Sequence, residues 1–520
     1  MRFLFVCRVT LPRLAWGAVL EKGRGNVTVY HGEQVEIRED GFFEGVWNGP
    51  GEFAAALEAT VACGTGGQSD DADVRFWTST DNLYPLHSVA VGDRLFVSNS
   101  PVFAQVLARE TPDPSYPFYY DDFIRLARRC YNAHGSLRTA SGNRLRLHFG
   151  HVMTVDRNLN VSFSRHPACA SFSNYESYYR LLASSVHQVL DNGASSSRCF
   201  PYKPLASCSG GYDANACAAL AARAGCTEAI TFTSSEARED ESDSGEHIAD
   251  ALNMRCFTAD KRAFLDTADL SEFCIVPHSM YPTYSAFEQI LAGRILVSGS
   301  SGGMIWSKGS AGYIDDGCIS WLRYISSYGL LEFRLRVGFL VFLPSRIGFI
   351  HNREILRINC STEMKPWSVG NNYDRPIARR IIEEAGVDRR AFGMRKMASS
   401  QVRLDGPAVQ RSAIGPAYRA FMEQRARQVD PVVDRYWRFR NSCRWFILTR
   451  LSSPRKRQVR YTRLRRMFSF LNNRPAAFEW YYLFAHQFSF NALKARYVSP
   501  EMAGRQPHDY TARRSTHDAV

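Results

Sequence analysis

Residues 204–225, PLASCSGGYDANACAALAARAG, set a serine, two glycines and an aspartate where an apolar run gives way to alanines. Residues 204–208 read as the end of a short buried strand. Residues 214–224, built largely from the best helix former, read as a packed helix. Ser209-Gly210-Gly211 is then a strand-to-helix turn that aims free backbone N–H groups and the positive end of the helix dipole at one spot. The glycines let a bulky anion approach the backbone closely. An acidic residue in such a turn makes little sense for an anion alone and good sense for one that arrives with a metal. Asp213 is therefore a candidate ligand for the magnesium that accompanies a nucleotide phosphate. The same residues also describe a tight turn with a capping carboxylate and no ligand.

The elements that must position this turn follow an alternating order. NYESYYRLLASSVHQVLDNG (174–193) reads as an amphipathic helix and EAITFTSS (228–235) as a second strand. An acidic loop, EAREDESDSGE, then opens a helix over HIADALNMR. Strand, helix, strand, helix implies a parallel sheet with crossover helices, in which ligands bind beyond the carboxyl ends of the strands. Residues 1 to about 165 differ: NVTVYHG, RLFVSN and HVMTVDRNLNVSFSR are strand-like runs separated by turn formers such as GTGGQSDDAD at 64–73. EFRLRVGFLVFLP (332–344) reads as a core segment unless its arginines turn inward.

At 520 residues the chain is long for one core, so two or three domains are expected. With 45% apolar and 22% charged residues it has the composition of a soluble globular protein. No apolar run reaches the roughly 18 residues of a membrane span. The N-terminal apolar run is cut by Arg8 and Arg13, unlike a signal peptide, so a cytoplasmic chain is expected. Thirteen cysteines are scattered without a C-x-x-C pair, which argues against a zinc site and a disulfide framework. The net charge of +13 is concentrated late: residues 431–470 hold twelve Lys or Arg against the single Asp434. Aromatic residues interleave them, as in RYWRFRNSCRWF. This segment suits an anionic partner, a membrane surface or a polyanion such as nucleic acid. It equally suits a solvated helical tail whose arginines snorkel over apolar residues.

Ser209-Gly210-Gly211-Tyr212-Asp213 resembles the pyrophosphate-binding loop of the N-type ATP pyrophosphatases. That superfamily includes asparagine synthetase, β-lactam synthetase, lasso-peptide cyclases and several tRNA-modifying enzymes. The first part of the chain is similar to the asparagine-synthetase-like branch. TDNLYPLH (80–87) resembles its Asp-x-x-Gly-x-x-Pro-Leu segment without the glycine. LFVSNSPVFAQVL (95–107) resembles the strand and helix that follow, and GNRLRLHFGHVMTVD (142–156) the Gly-His segment that closes the domain. The likeness covers roughly residues 75–400. It implies an α/β protein with a glutaminase-like (Ntn) αββα sandwich over 1–170 and a parallel-sheet ATP-pyrophosphatase domain over 171–430. The latter has a helical C-terminal part, and the basic, aromatic-rich helical segment occupies 431–520.

The resemblance also implies ATP and Mg2+ as cofactors. Ser209, Gly210, Gly211, Tyr212, Asp213 and Asn215 would bind the nucleotide from the first loop, with Asp213 as the metal ligand. Ser298, Gly299, Gly302 and Gly303 would bind it from a second loop, LVSGSSGGMIW (296–306). Lys396, with Arg395 beside it, matches a family lysine that stabilises charge during acyl transfer, although a lone lysine is also an ordinary surface residue. The implied activity is that of an AMP-forming amide ligase. A substrate carboxylate attacks the α-phosphate of ATP to give an acyl-adenylate and pyrophosphate, and an amine or ammonia then displaces AMP.

Three departures qualify this picture. A working glutaminase domain uses a cysteine at its N-terminus, and residue 2 is Arg2, with Cys7 too deep to substitute. Ala214 stands where the family has a phosphate-holding serine. The second loop has Ser300, Ser301 and Met304 in place of acids, and methionine cannot ligate a hard cation. Either Asp213 holds magnesium with help from the acidic loop (Glu236, Asp240, Asp243 or Glu246), or ATP chemistry is impaired. A degenerate nucleotide- or partner-binding relative and a nucleic-acid-modifying ATP pyrophosphatase are the alternative readings.

Overall fold

The computed structural model describes residues 1–50, 55–116, 119, 122, 136–233, 243–267, 269–275, 281–308, 314, 315, 318, 319, 330–371, 373–393, 415–428, 431 and 480–497. Lys396, Arg395, Glu236, Asp240 and, of the basic segment over 431–520, all but Pro431 and residues 480–497 lie outside the described residues.

The first strands are Arg2–Cys7 (β1), Trp16–Glu21 (β2), Asn26–His31 (β3), Glu36–Arg38 (β4), Gly41–Trp47 (β5), Ala62–Ser69 (β6) and Asp73–Trp77 (β7). Leu86–Val91 (β8), Arg94–Ser98 (β9), Ser136–Arg138 (β10), Arg144–His148 (β11), His151–Asp156 (β12) and Val161–Arg165 (β13) follow. They form two sheets, ordered β1-β3-β2-β9-β8-β11-β10 and β13-β12-β7-β6-β5-β4. Only the β1–β3 pair is parallel among these strands; the others are antiparallel. Alternation along the strands turns Phe3, Trp16, Val29 and Val97 of one sheet onto Phe42, Phe76, Met153 and Val155 of the other, in one apolar cluster. Trp16 stacks on Phe76 with ring centroids 5.8 Å apart. A helix over Pro101–Leu107 (α1) starts at Ser100, whose hydroxyl accepts the Phe103 N–H, and covers the first sheet.

Tyr175–Ala194 (α2) opens with a capping box between Asn174 and Ser177. Its buried Tyr175, Tyr178, Leu182, Val186, Val189 and Leu190 recur at helical spacing and bridge β5 to the elements that follow. Those are Lys203–Ser207 (β14), Asp213–Arg223 (α3), Glu228–Phe232 (β15), Glu246–Ala251 (α4), Arg255–Ala259 (β16), Arg294–Val297 (β17), Leu331–Val337 (α5) and Leu340–Phe342 (β18). The five strands form an all-parallel sheet ordered β16-β15-β14-β17-β18, interleaved with helices in a Rossmann-like manner. The chain thus runs outward from β14 to β16, then crosses to build β17 and β18 on the other side. Helices over Pro376–Glu384 (α6), Gly415–Arg427 (α7) and Trp480–Leu493 (α8) follow. Among the described residues, no helix is long and apolar enough to cross a membrane.

The antiparallel and parallel parts share one apolar core, in which Leu14, Val46 and Phe96 are continuous with Leu205, Leu296, Val341 and Leu483. Of the two arginines in EFRLRVGFLVFLP, Arg334 turns inward, whereas Arg336 stays about one-third exposed and pairs with Glu272 and Glu288. Arg334 of α5 is fully buried and makes a two-pronged ion pair with the equally buried Glu44 of β5, at 2.6 and 3.0 Å. Its guanidinium lies 4.1 Å from the centre of the Tyr84 ring. Tyr84 in turn exchanges hydrogen bonds with the backbone of Val341 in β18.

Candidate nucleotide site at the switch of the parallel sheet

The strand order places a topological switch between β14 and β17, the neighbours whose following connections diverge to opposite sides of the sheet. Ligands of open parallel sheets bind in the crevice outside the strand ends at such a switch. The Ser-Gly-Gly turn leaves β14, and the second serine–glycine loop leaves β17. Both loops singled out in the sequence therefore sit at the one place where this topology makes a crevice.

Asn215, fully buried in the first turn of α3, closes the Ser-Gly-Gly turn. Its carboxamide oxygen accepts the Ser209 N–H at 3.1 Å, and its nitrogen donates to the carbonyls of Ser209 and Gly211 at 2.7 and 2.6 Å. Asn215 is thus a clip that shapes the turn from behind. The Gly211 N–H donates to the Ser209 hydroxyl at 3.2 Å, and the Gly210 N–H to the Asp243 carboxylate at 3.0 Å. One acid of the loop before α4 therefore already lies on a backbone donor of the turn. Glu246, at the start of α4, accepts from Ser244 instead. Tyr212 points away from the crevice. Its ring is fully buried against Tyr373 and Phe392, and its hydroxyl accepts from Arg379 at 2.7 Å.

The second loop lies directly against the first. A Cβ on Gly299 would sit 2.2 Å from the Asp213 carbonyl carbon and the Ala214 nitrogen, so only glycine lets this loop rest on the start of α3. Gly302 faces the Asp213 side chain, and Gly303 faces Arg375, where a Cβ would lie 2.5 Å from a guanidinium nitrogen. Ser298 accepts the Ser300 N–H within the loop, and Met304 packs on the core with no oxygen to offer. Arg346, itself buried, donates to the Ser301 hydroxyl at 2.9 Å and to the Asp81 carbonyl. Asp81 belongs to the TDNLYPLH segment, and burial raises its carboxyl above the usual range. A cavity of about 60 Å³ lies behind Arg346, lined by Thr60, Thr80, Asp81, His166 and Cys169, too small for a nucleotide.

The residue that sequence reasoning missed is Arg375, immediately before Pro376 at the start of α6. Its side chain is 5% exposed, and its guanidinium donates to one carboxylate oxygen of Asp213. It also lies over the Tyr373 ring, 4.6 Å from the centroid. The other Asp213 oxygen is buried and has no hydrogen-bond partner among the described residues. No local signal marks Arg375, because its partner is 162 positions away.

Magnesium does not fit this donor set as it stands. Magnesium takes six oxygens, most of them from water and substrate phosphates, and needs one or two free carboxylates from the protein. Here the Asp213 carboxylate is committed to the Arg375 guanidinium and the Asp243 carboxylate to the Gly210 N–H. Among the described residues there is no group of three or more acids, histidines or cysteines arranged to hold a metal. The donors present suit an anion: a buried guanidinium, the Ser209 hydroxyl and the start of an eleven-residue helix with no capping side chain.

Cys63, Cys169, Cys208, Cys217, Cys226 and Cys274 are buried. Desolvation raises their thiols, which makes them small apolar fillers rather than nucleophiles. Compared with known proteins, this chain matches no protein-family model and no curated sequence.

Proposed function

We propose that the chain is an asparagine-synthetase-like, AMP-forming ligase that binds ATP at the switch of its parallel sheet and has no glutaminase activity of its own. The observation that carries this reading is the convergence of two serine–glycine loops, from β14 and β17, on the start of α3. The αββα glutaminase-like identity of the antiparallel part belongs to the same proposal, supported by its two face-to-face sheets and the landmark segment at Asp81 and Tyr84.

In this reading a carboxylate oxygen attacks the α-phosphorus of ATP, the bond to the bridging oxygen breaks, and pyrophosphate leaves. Arg375, the Ser209 hydroxyl and the helix start offset the charge that grows on that leaving group. Ammonia or an amine then attacks the acyl carbon, AMP departs, and the nitrogen loses a proton to solvent. Cys7 does not replace a glutaminase nucleophile. Burial and Glu33 push its thiol up, opposite to the activated thiolate such chemistry needs.

A second reading, a relative that binds nucleotide without turnover, is favoured by one observation, the commitment of Asp213 to Arg375. Pyrophosphate exchange into ATP, driven by a panel of amino acids, sugar acids and peptides, separates the two. Exchange dependent on one carboxylate establishes the ligase; ATP binding without exchange establishes the binder. Glutamate release from glutamine above a boiled control refutes the absence of glutaminase activity.

A further inference from the structure

We propose that Arg375 takes the place of a metal ion in this crevice, so that the site binds nucleotide polyphosphate without magnesium. The inference rests on reading the switch-point loops as a nucleotide site and specifies what neutralises the phosphates there. Arg375 is a built feature rather than a surface residue caught nearby. Its side chain is 5% exposed, its backbone is fixed by Pro376 in the first turn of α6, and its guanidinium is packed over Tyr373. Gly303 leaves room for it, since a Cβ there would lie 2.5 Å from a guanidinium nitrogen and push the side chain aside.

The acids around the turn are arranged for a cationic side chain and backbone donors, not for a hard cation. Asp213 faces Arg375 with one oxygen and leaves the other buried without a partner among the described residues. Asp243 lays an anionic oxygen on the Gly210 N–H, the kind of donor a phosphate oxygen uses. An incoming polyphosphate would exchange one anion for another at that amide and draw the Arg375 fork from Asp213. A guanidinium is always charged, and its planar fork matches phosphate oxygens in pairs.

Calorimetric titration of the full chain with ATP, once with excess magnesium and once with EDTA, tests this without any substitution. The expected affinities differ by less than about fivefold between the two buffers, and a loss of about fivefold or more in EDTA overturns the inference. Asp213→Asn, nearly isosteric, gives a second readout of opposite sign. With the carboxylate gone, Arg375 is released to the phosphates and ATP binds at least as tightly as to the wild type, whereas a metal-ligating Asp213 requires weaker binding. Absence of ATP binding in both buffers overturns the nucleotide reading itself and the inference with it. Binding that depends on magnesium overturns the inference alone.

Discussion

Gly211 and Gly299 both lie in the loops that flank the switch, yet a methyl group on each meets different surroundings. On Gly299 it would fall 2.2 Å from backbone atoms of residues 213 and 214, which cannot move without unseating α3. On Gly211 it would meet only the Tyr373 hydroxyl at 3.3 Å and the Ser209 hydroxyl at 3.4 Å. Gly299→Ala is therefore expected to cost about 1–3 kcal/mol by overpacking, and Gly211→Ala well under about 1 kcal/mol. Chemical denaturation of the two variants checks the ranking, and equal costs would show that the loops are not in contact as described. Gly211→Ala then isolates ligand approach, because any large loss of ATP affinity in that stable variant reports a phosphate passing close to this backbone. The sequence alone could suggest that glycines were needed here. It could not separate the glycine needed for loop-on-helix contact from the one available to a ligand, since that distinction lies in residues about ninety positions apart.

At the scale of elements, what was legible was what is local. The strand–turn–helix over β14 and α3 shows in a glycine pair followed by alanines, and α2 shows in its helical spacing of tyrosines, leucines and valines. Both are set by residues within a few turns of one another. The crossing of α5 and β18 onto the antiparallel sheets was not legible in that way. EFRLRVGFLVFLP is apolar enough to read as core, and nothing in it says that Arg334 finds Glu44, 290 positions earlier. The same holds for Arg375 and for Asn215, whose clip depends on a turn folding around it. The Arg334–Glu44 pair joins the two parts of the molecule with both side chains fully buried, and Thr65 and Asn99 also donate to the Glu44 carboxylate. Removing one member leaves the other buried without its counter-charge, which costs about 3–5 kcal/mol. Arg334→Met is thus expected to lose that much, while Glu44→Leu with Arg334→Met loses less than either single change. Denaturant midpoints of the three variants measure this. A single variant within about 1 kcal/mol of the wild type would mean that the pair does not hold the two parts together.

Across the whole molecule, burial has placed titratable groups where acid works on them in opposing directions. His87 is pushed down to about 3 and His486 to about 4, in both cases mainly by burial. Each is held neutral in the folded state and takes up a proton near 6.5 when unfolded. Their contribution is present above pH 6.5 and is lost as pH falls towards the folded values. Two such groups give a slope of about 2.7 kcal/mol per pH unit. Glu332 works against them. Although the Ser100 and Tyr497 hydroxyls donate to its carboxylate, burial raises it from 4.5 to about 6. Its folded pKa lies above its unfolded one, so its stabilising contribution is full below pH 4.5 and is lost as pH rises through about 6. Between those limits it cancels about one of these two histidine protons, leaving the three groups a slope of about 1.4 kcal/mol per pH unit, to which His166, also lowered to about 4 by burial, adds about as much again. Glu332→Gln, which mimics the protonated acid, is accordingly expected to stabilise the protein by about 2 kcal/mol at pH 7. The gain should shrink to nothing below pH 4.5, while the decline between pH 6 and 4.5 steepens. Urea midpoints of wild type and variant at pH 7, 5.5 and 4.5 decide the matter. A gain that does not change with pH would mean that Glu332 is not the buried acid whose charge the fold resists.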